Sequence, residues 1–464
     1  MPNKQIFYPI DTPIRGKIKV PGDKSISQRS IFLACMAQGE SHIYDVAYSS
    51  DVMSAIEIMR KLGATIDITR SKYSNARNMD LKIDGWGSIG PKDPTSTLYC
   101  GNSATSVRVT MGVLAGYDVE ATFDGDESLH RRPLMRVIDP LLQMGASFKV
   151  LAPKDGRPQR STLPCIMKGS AYTNPIFYDM PVASSQVKAS ILFAALNTSG
   201  TTTLTEPYLS RTHTELLLEY LGAPIKYDSD LHEISITGPY NINNFNLHVP
   251  GDVSSASYFL TAACLIPGSK IEIENVCLNE SRLGFIKVLS KMGARISYEV
   301  KKYKDNVNYG LEPVGSISAQ YGGRLKGVEV SCDEIPQLVD EVPILSLAAA
   351  CSEGKMVFYG VKELKLKECN RINAISQTLN SLGADAYNKG DNLYITGGID
   401  IEGKKTLKPI KSDVINLNHY GDHRLAIVCA LAGICGFVPT SLDDLDVMKI
   451  SYPDFMDDFS KVIS

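Results

Sequence analysis

The chain has 464 residues, 44% of them hydrophobic and 21% charged, with a formal net charge of -3. That length allows about three domains or two large ones, with ample core. The near-neutral charge excludes a general nucleic-acid binder, so any cationic function must come from local clusters, and the expected partners are small anions or other proteins.

In chain order, the opening MPNKQIFYPIDTPIRGK has no continuous apolar stretch of the kind a secretory leader needs. A short polar turn then runs into an Ala-rich apolar segment that stops at a glycine, and this happens six times. The segments start near Ser25, Ser103, Ser184, Ser254, Asp340 and Asp422 and close at Gly39, Gly116, Gly200, Gly268, Gly354 and Gly436. Their starts are 78, 81, 70, 86 and 82 residues apart. So even a period predicts one supersecondary unit copied six times. Ser or Asp before an apolar run and Gly after it is helix punctuation. A helix apolar on most of its surface is buried, so its N-terminal N–H groups are expected to point out of a core and attract anions.

Between these segments Leu/Met-Gly-Ala recurs at Leu62, Met144, Leu221, Met292 and Leu382, each after an amphipathic stretch such as DVMSAIEIMRKLGA. These predict outer helices ending at glycine and leading into strands such as 65–68, 147–150 and 295–300. Each unit thus mixes strands with one buried and one half-exposed helix, an α/β chain. The looser stretches are 153–164 and 241–246. A domain boundary is expected near Pro250, where VPGD opens the fourth unit and leaves three units on each side; the same string precedes the first unit, so the two turns predict paired crossover points. The longest apolar run, Leu425 to Val438, is too short to cross a bilayer, so no membrane association is expected. The ten cysteines contain no CxxC pair, which argues against metal fingers and redox motifs and for a reducing, cytoplasmic setting.

The helix starts carry the chemistry. GDKSISQR places Lys24, Ser25, Ser27 and Arg29 at the first start, and cations at the positive end of a helix dipole call for a compensating anion. A nucleotide P-loop fails here, because Asp23 separates the glycine from Lys24. CGNSATSVR supplies Asn102, Ala104 and Arg108, and GDESLHRRPLMR crowds Arg131, Arg132 and Arg136 into a turn in which Pro133 fixes the backbone beside Arg132. PVASSQVKAS adds Ser184, Ser185, Gln186 and Lys188. In the second half, DEIPQLVDEVP offers Asp340 and Glu341, LKLKECNRI lines up Lys367, Glu368 and Arg371, and GDHR sets His423 and Arg424 at the sixth start. Each reads alone as a cap or a solvated face; the repeats make convergence the expected outcome.

Taken together and in order, GDKSISQR, GNSATSVR, GDESLHRRP, PVASSQVK, SRTHTE, VPGDVSSASYFL, IPQLVDEVP, KECNRI and GDHR resemble the 5-enolpyruvylshikimate-3-phosphate synthase family over nearly the whole chain. The resemblance implies two similar domains, each of three βαβαββ units with buried parallel helices. Residues 1–22 with 250–464 would form one domain and 23–249 the other, with the active site in the cleft between them. It implies transfer of the carboxyvinyl group of phosphoenolpyruvate to the 5-hydroxyl of shikimate 3-phosphate, releasing phosphate, by a monomer with no metal or organic cofactor. Carried over by motif, Lys24 touches both substrates, and Ser25, Arg29, Ser184, Ser185, Gln186 and Arg211 hold shikimate 3-phosphate. Phosphoenolpyruvate falls to Asn102, Ala104, Arg132, Gln186, Arg371 and Arg424. Asp340 accepts the 5-hydroxyl proton, Glu368 protonates the alkene carbon and Lys367 lies against the reacting oxygens.

The chain departs from the family at three places. Where members commonly read KE[ST]DR it has KECNR, so Asn370 lacks a charge that would orient Arg371. Where some members carry a phosphoenolpyruvate-binding Lys before the C-terminal [ST][FY]P turn, Ile450 precedes Ser451, with Lys449 one residue earlier. Ala104 replaces a common Gly, as in the glyphosate-tolerant class, whose extra methyl crowds the inhibitor more than the substrate. The related UDP-N-acetylglucosamine carboxyvinyltransferases typically use a Cys in the loop before their Arg-Pro; this chain has none between Cys100 and Cys165. A catalytically silent anion-binding scaffold would need neither Asp340 nor Glu368.

Overall fold

The computed structural model describes residues 4–71, 78–151, 162–302, 307–398, 414–436 and 438–463. Of the looser stretch expected at 153–164, all but its last three residues lie outside them. The chain divides into two compact units: Met1–Pro21, Gly251–Lys302 and Pro313–Ser464 form one, Gly22–Pro250 and Tyr303–Glu312 the other. The chain therefore changes unit within both VPGD strings, at Pro21–Gly22 and Pro250–Gly251. Described residues 307–312, between strands Arg295–Val300 and Val314–Gln320, also belong to the second unit, and nothing in the sequence sets them apart.

Six apolar helices occupy the expected places: Lys24–Met36, Ala104–Ala115 and Ser185–Ala195 in the first-to-third repeats, Val253–Leu265, Val342–Ala350 and His423–Cys435 in the rest. Nearly every residue beyond their first turns is buried, as the absence of a polar stripe requires. Only Gly116 and Gly436 of the six closing glycines cap a helix directly. Gly39, Gly200, Gly268 and Gly354 follow a few residues later at positive φ, where the chain turns from helix into strand. At Gly354 an added Cβ would meet nothing, so the left-handed backbone alone selects glycine. Outer helices Ser50–Lys61, Met135–Met144, His213–Tyr220, Gly284–Lys291 and Arg371–Ser381 run into the Gly-Ala turns and then into strands, among them Thr65–Arg70, Ser147–Val150 and Arg295–Val300.

Each repeat has its own sheet: five are four-stranded and the sixth, among the described residues, three-stranded. In every one a strand pairs in parallel with the strand that follows the buried helix; in the five larger sheets that strand then pairs antiparallel with the last strand of its repeat. The crossovers exchange the first strands of two repeats. Arg15–Ile18 precedes the first helix in sequence yet pairs with Lys270–Cys277, while Asn246–His248, which precedes the fourth helix, pairs with Gln38–Ala47.

The two exchanges use one device. Asp23 N–H donates to the Pro250 carbonyl at 2.7 Å and Asp252 N–H to the Pro21 carbonyl at 2.8 Å. Gly22 is required because its Cβ would lie 2.1 Å from the Asp45 carbonyl, in a strand bulge where Asp45 has φ 59°; Gly251 faces Asn275, at φ 56° in the equivalent bulge. No helix among the described residues is long and apolar enough to cross a membrane.

Candidate active site

The helix starts predicted to attract anions differ in how their ends are filled. At three of them the N-cap is an aspartate that already fills the end of the helix: Asp23 accepts from Ile26 N–H, Asp252 from Ser254 N–H, and Asp422 from Arg424 and Leu425 N–H. The positions of Ser184 and Glu341 carry no side-chain cap bond. At the three aspartate-capped starts the cationic side chains, and not the helix ends, are the groups left to meet an anion.

In the unit built on Gly22–Pro250, Lys24 opens its helix with Nζ 2.8 Å from Asp51 Oδ2, at the start of the first outer helix. Asp51 is thus an anion that offsets the cation at the dipole's positive end, and the sequence alone offered no way to pair the two. Gln28 ties the same corner together, its amide donating to the Asp51 carbonyl and to Ser103 and Ser106 hydroxyls. Arg29 is buried; Nε donates to Thr214 Oγ1 at 2.7 Å, and its other nitrogens to the carbonyls of Ser25 and Ser185. Arg211 donates to Ser25 Oγ at 3.3 Å. Lys24, Ser25, Arg29, Ser185 and Arg211 are brought to one place, with Ser184 the N-cap residue beside them.

A second patch on the same unit is organised by Arg132. The preceding turn is locked by Asp126, whose carboxylate accepts from Leu129 N–H and from Asn102 Nδ2, and by His130 against Asp124 at 2.6 Å. Arg132, held extended before Pro133 (φ -84°, ψ 132°), donates to Asn102 Oδ1 at 2.9 Å. Arg131 is exposed near Glu127, and Arg136 is half-buried, so the basic triplet separates into one placed cation and two others. Ala104 is the first residue of its helix and buried. Gln186 bonds both Arg108 and Thr105. Lys188 points the other way, fully buried against Glu206 at 3.0 Å and Glu215 at 2.6 Å. Burial opposes its charge, yet the two carboxylates outweigh burial and hold it protonated above the usual lysine range.

In the other unit, Arg371 is the hub. Its guanidinium, 1% exposed, meets Asp422 at 2.7 Å, Glu368 at 2.5 Å and Asp340 at 3.3 Å. Asp340 is also 3.4 Å from Lys367 Nζ and 3.4 Å from Arg424. The five candidates 340, 367, 368, 371 and 424 therefore form one network, with Asp422 beneath it. Burial disfavours the charge of Arg371, but Asp422, Glu368 and Asp340 more than offset this and keep it protonated; Arg424 is held the same way, chiefly by Asp340. Three carboxylates on one cation make the acid and base candidates near neighbours of a fixed positive charge.

The orienting charge that Asn370 lacks comes from Asp422 instead. Asn370 serves as the N-cap of its helix, accepting from Asn373 N–H, while Asp422 grips Arg371 from a different repeat. Asp422 does two jobs at once, capping the sixth helix and aiming a guanidinium, and only the first was legible. Cys369 places its thiol 3.8 Å from Asp422; burial, followed by that carboxylate, pushes the thiol well up and disfavours the thiolate. Lys449 is exposed and paired with Asp446 at 2.7 Å. Behind Asp340, Glu341 is buried with Ser254 and Arg282; the sequence carried no signal for Arg282.

Residues 9–459 match the family model of EPSP synthase (3-phosphoshikimate 1-carboxyvinyltransferase). The chain is 37% identical over 445 residues to the 3-phosphoshikimate 1-carboxyvinyltransferase of Bacillus pumilus, covering 96% of each. It is 38% identical over 442 residues to that of Thermodesulfovibrio yellowstonii, covering 95% of this chain and 96% of the relative. Among solved structures, EPSP synthase from Acinetobacter baumannii superposes with a TM-score of 0.80 at 32% identity, over 99% of this chain and 98% of that one. The enolpyruvyl transferase NikO from Streptomyces tendae shares the fold at TM-score 0.75 and 18% identity, over 100% and 98%. With a match spanning all six repeats and both clusters of candidate residues, the chain belongs to the EPSP synthase (3-phosphoshikimate 1-carboxyvinyltransferase) family.

Proposed function

We propose that the residues gathered in the two units serve a single reaction, the transfer of the carboxyvinyl group of phosphoenolpyruvate to the 5-hydroxyl of shikimate 3-phosphate with release of phosphate, in the shikimate pathway of aromatic amino-acid biosynthesis. Lys24, Ser25, Arg29, Ser184, Ser185, Gln186 and Arg211 bind shikimate 3-phosphate. Asn102, Ala104, Arg132, Gln186, Arg371 and Arg424 take phosphoenolpyruvate, with Lys24 touching both. The protein works as a cytoplasmic monomer without metal or organic cofactor.

The electrostatics set the task. Unit charges about 4 Å apart at an effective dielectric near 20 interact by about 4 kcal/mol per pair, so two polyanionic substrates resist meeting. Placed cations offset that repulsion and convert a bimolecular encounter into an oriented one. Asp340 takes the proton of the attacking hydroxyl while Glu368 gives one to the methylene carbon of phosphoenolpyruvate. Because the transferred group is again a vinyl group, one proton of the methyl group so formed must leave the carbon as the C–O bond to phosphate breaks, and the phosphate departs with that bond's electron pair. For Glu368 to act as an acid, exclusion of water and the charge of the substrates must favour its protonated form against the pull of Arg371.

The observation that carries the reading is the Arg371 hub, which holds the two carboxylates of opposite proton duty on one buried cation. The test is phosphate release from purified protein with both substrates. One phosphate per phosphoenolpyruvate consumed is expected, with none when UDP-N-acetylglucosamine replaces shikimate 3-phosphate; no release with either would sink the reading and leave the silent scaffold. Ala104 at its helix start supports glyphosate tolerance. Replacing it by Gly is expected to lower the inhibitor constant against phosphoenolpyruvate by at least tenfold, while potent inhibition of the unaltered protein in a steady-state assay would refute the idea.

A further inference from the structure

Arg108 is assigned to neither substrate, yet it reaches two elements of the binding patch. From the second turn of helix Ala104–Ala115 its guanidinium donates to Gln186 Oε1 and, at 3.0 Å, to the carbonyl of Pro133, next to Arg132. The residue is 7% exposed. The two helices meet at backbone contact: a Cβ on Gly112 would lie 2.3 Å from the Ser190 carbonyl, and Ser190 Oγ donates to the Arg108 carbonyl at 2.6 Å. The guanidinium is thus delivered to Gln186 by rigid packing and not by a mobile arm.

An amide side chain can present either its oxygen or its nitrogen, and the two choices have opposite consequences for an anion. A guanidinium has donors only. Whatever faces Arg108 must therefore be the Gln186 oxygen, and Nε2 is left to point elsewhere, with one hydrogen engaged by Thr105 Oγ1 at 2.9 Å and the other, among the described residues, open to a ligand. We infer that Arg108 is a positioning residue that locks the Gln186 amide with its N–H side toward the anionic substrates, and at the same time pins the Pro133 turn that aims Arg132. Without it the amide can turn over and set a carbonyl dipole against a carboxylate or phosphate.

This rests on Gln186 being a substrate ligand, so the test is a double-mutant cycle of Arg108→Met and Gln186→Ala, read as KM for each substrate and kcat, with thermal unfolding alongside. Arg108→Met is expected to raise KM for phosphoenolpyruvate about tenfold or more with a smaller change in kcat. In the Gln186→Ala background the same substitution should cost less than about a third as much, because its main target is gone. Arg108→Lys, which can still donate to the amide but cannot fork to Pro133, should recover part of the loss, and it carries the test if the Met variant does not fold. A Gln186→Ala enzyme with unaltered KM values overturns the reading of Gln186 and the inference with it. A damaged Gln186→Ala enzyme in which Arg108→Met costs as much as in the parent overturns the inference alone, as does an Arg108→Met enzyme with parental KM values.

Discussion

Glu368→Gln is expected to cut kcat by roughly 10²- to 10⁴-fold, the range for loss of a general acid, with shikimate 3-phosphate still bound. Gln keeps the shape of the side chain and one acceptor for Arg371, which lies 2.5 Å from the Glu368 carboxylate, but has no proton to give to carbon. Lys24, Ser25, Arg29 and Arg211, the residues proposed to hold shikimate 3-phosphate, are gathered in the other unit. A calorimetric titration with that substrate should give a Kd close to the parent's, beside steady-state rates near background. Near-normal turnover would remove Glu368 from the mechanism. A large loss of shikimate 3-phosphate affinity would instead make it a binding residue.

Arg371→Leu is expected to damage both stability and catalysis. The guanidinium is the shared partner of Asp340, Glu368 and Asp422, of which Asp422 is completely buried. Removing one member of a buried ionic set leaves the others uncompensated, at a cost of about 3–5 kcal/mol. Urea denaturation should show that loss as a lower midpoint with an unchanged slope. Turnover should fall beyond detection, because the alignment of Asp340 and Glu368 goes with the cation. Arg371→Lys keeps the charge but not the planar fork that serves several acceptors at once, so it should restore stability in part and activity hardly at all. An Arg371→Leu protein as stable as the parent would show that the hub contributes no net stabilisation.

The repeat was legible because it is written in local terms. Asp23 before the first apolar helix and Leu62-Gly63-Ala64 after the first outer one announce a start and a stop, and periodic hydrophobicity fills the space between. The closing glycines were placed too close to their helices: Gly39 opens the next strand and Gly354 lies in the turn before one, since a positive φ is needed equally at either position. The two VPGD strings marked the crossover points, and the family resemblance put the N-terminal segment with the second triplet; which strand each exchanged strand pairs with was not legible, because a strand carries no mark of its parallel neighbour.

The site shows the same limit more sharply. By itself the sequence determined which cations and carboxylates stand at helix starts, since capping, apolar periodicity and spacing act within a few residues of each other. Partner choice was left to the tertiary structure: Asp51 for Lys24, Asp422 in place of an acidic residue at 370, Thr214 for Arg29, Arg108 for Gln186. Those pairs join residues 27 to 185 positions apart. Coulomb and hydrogen-bond energies depend on distance in space, and only the packing of the buried helices brings such residues within 3 Å or so of one another.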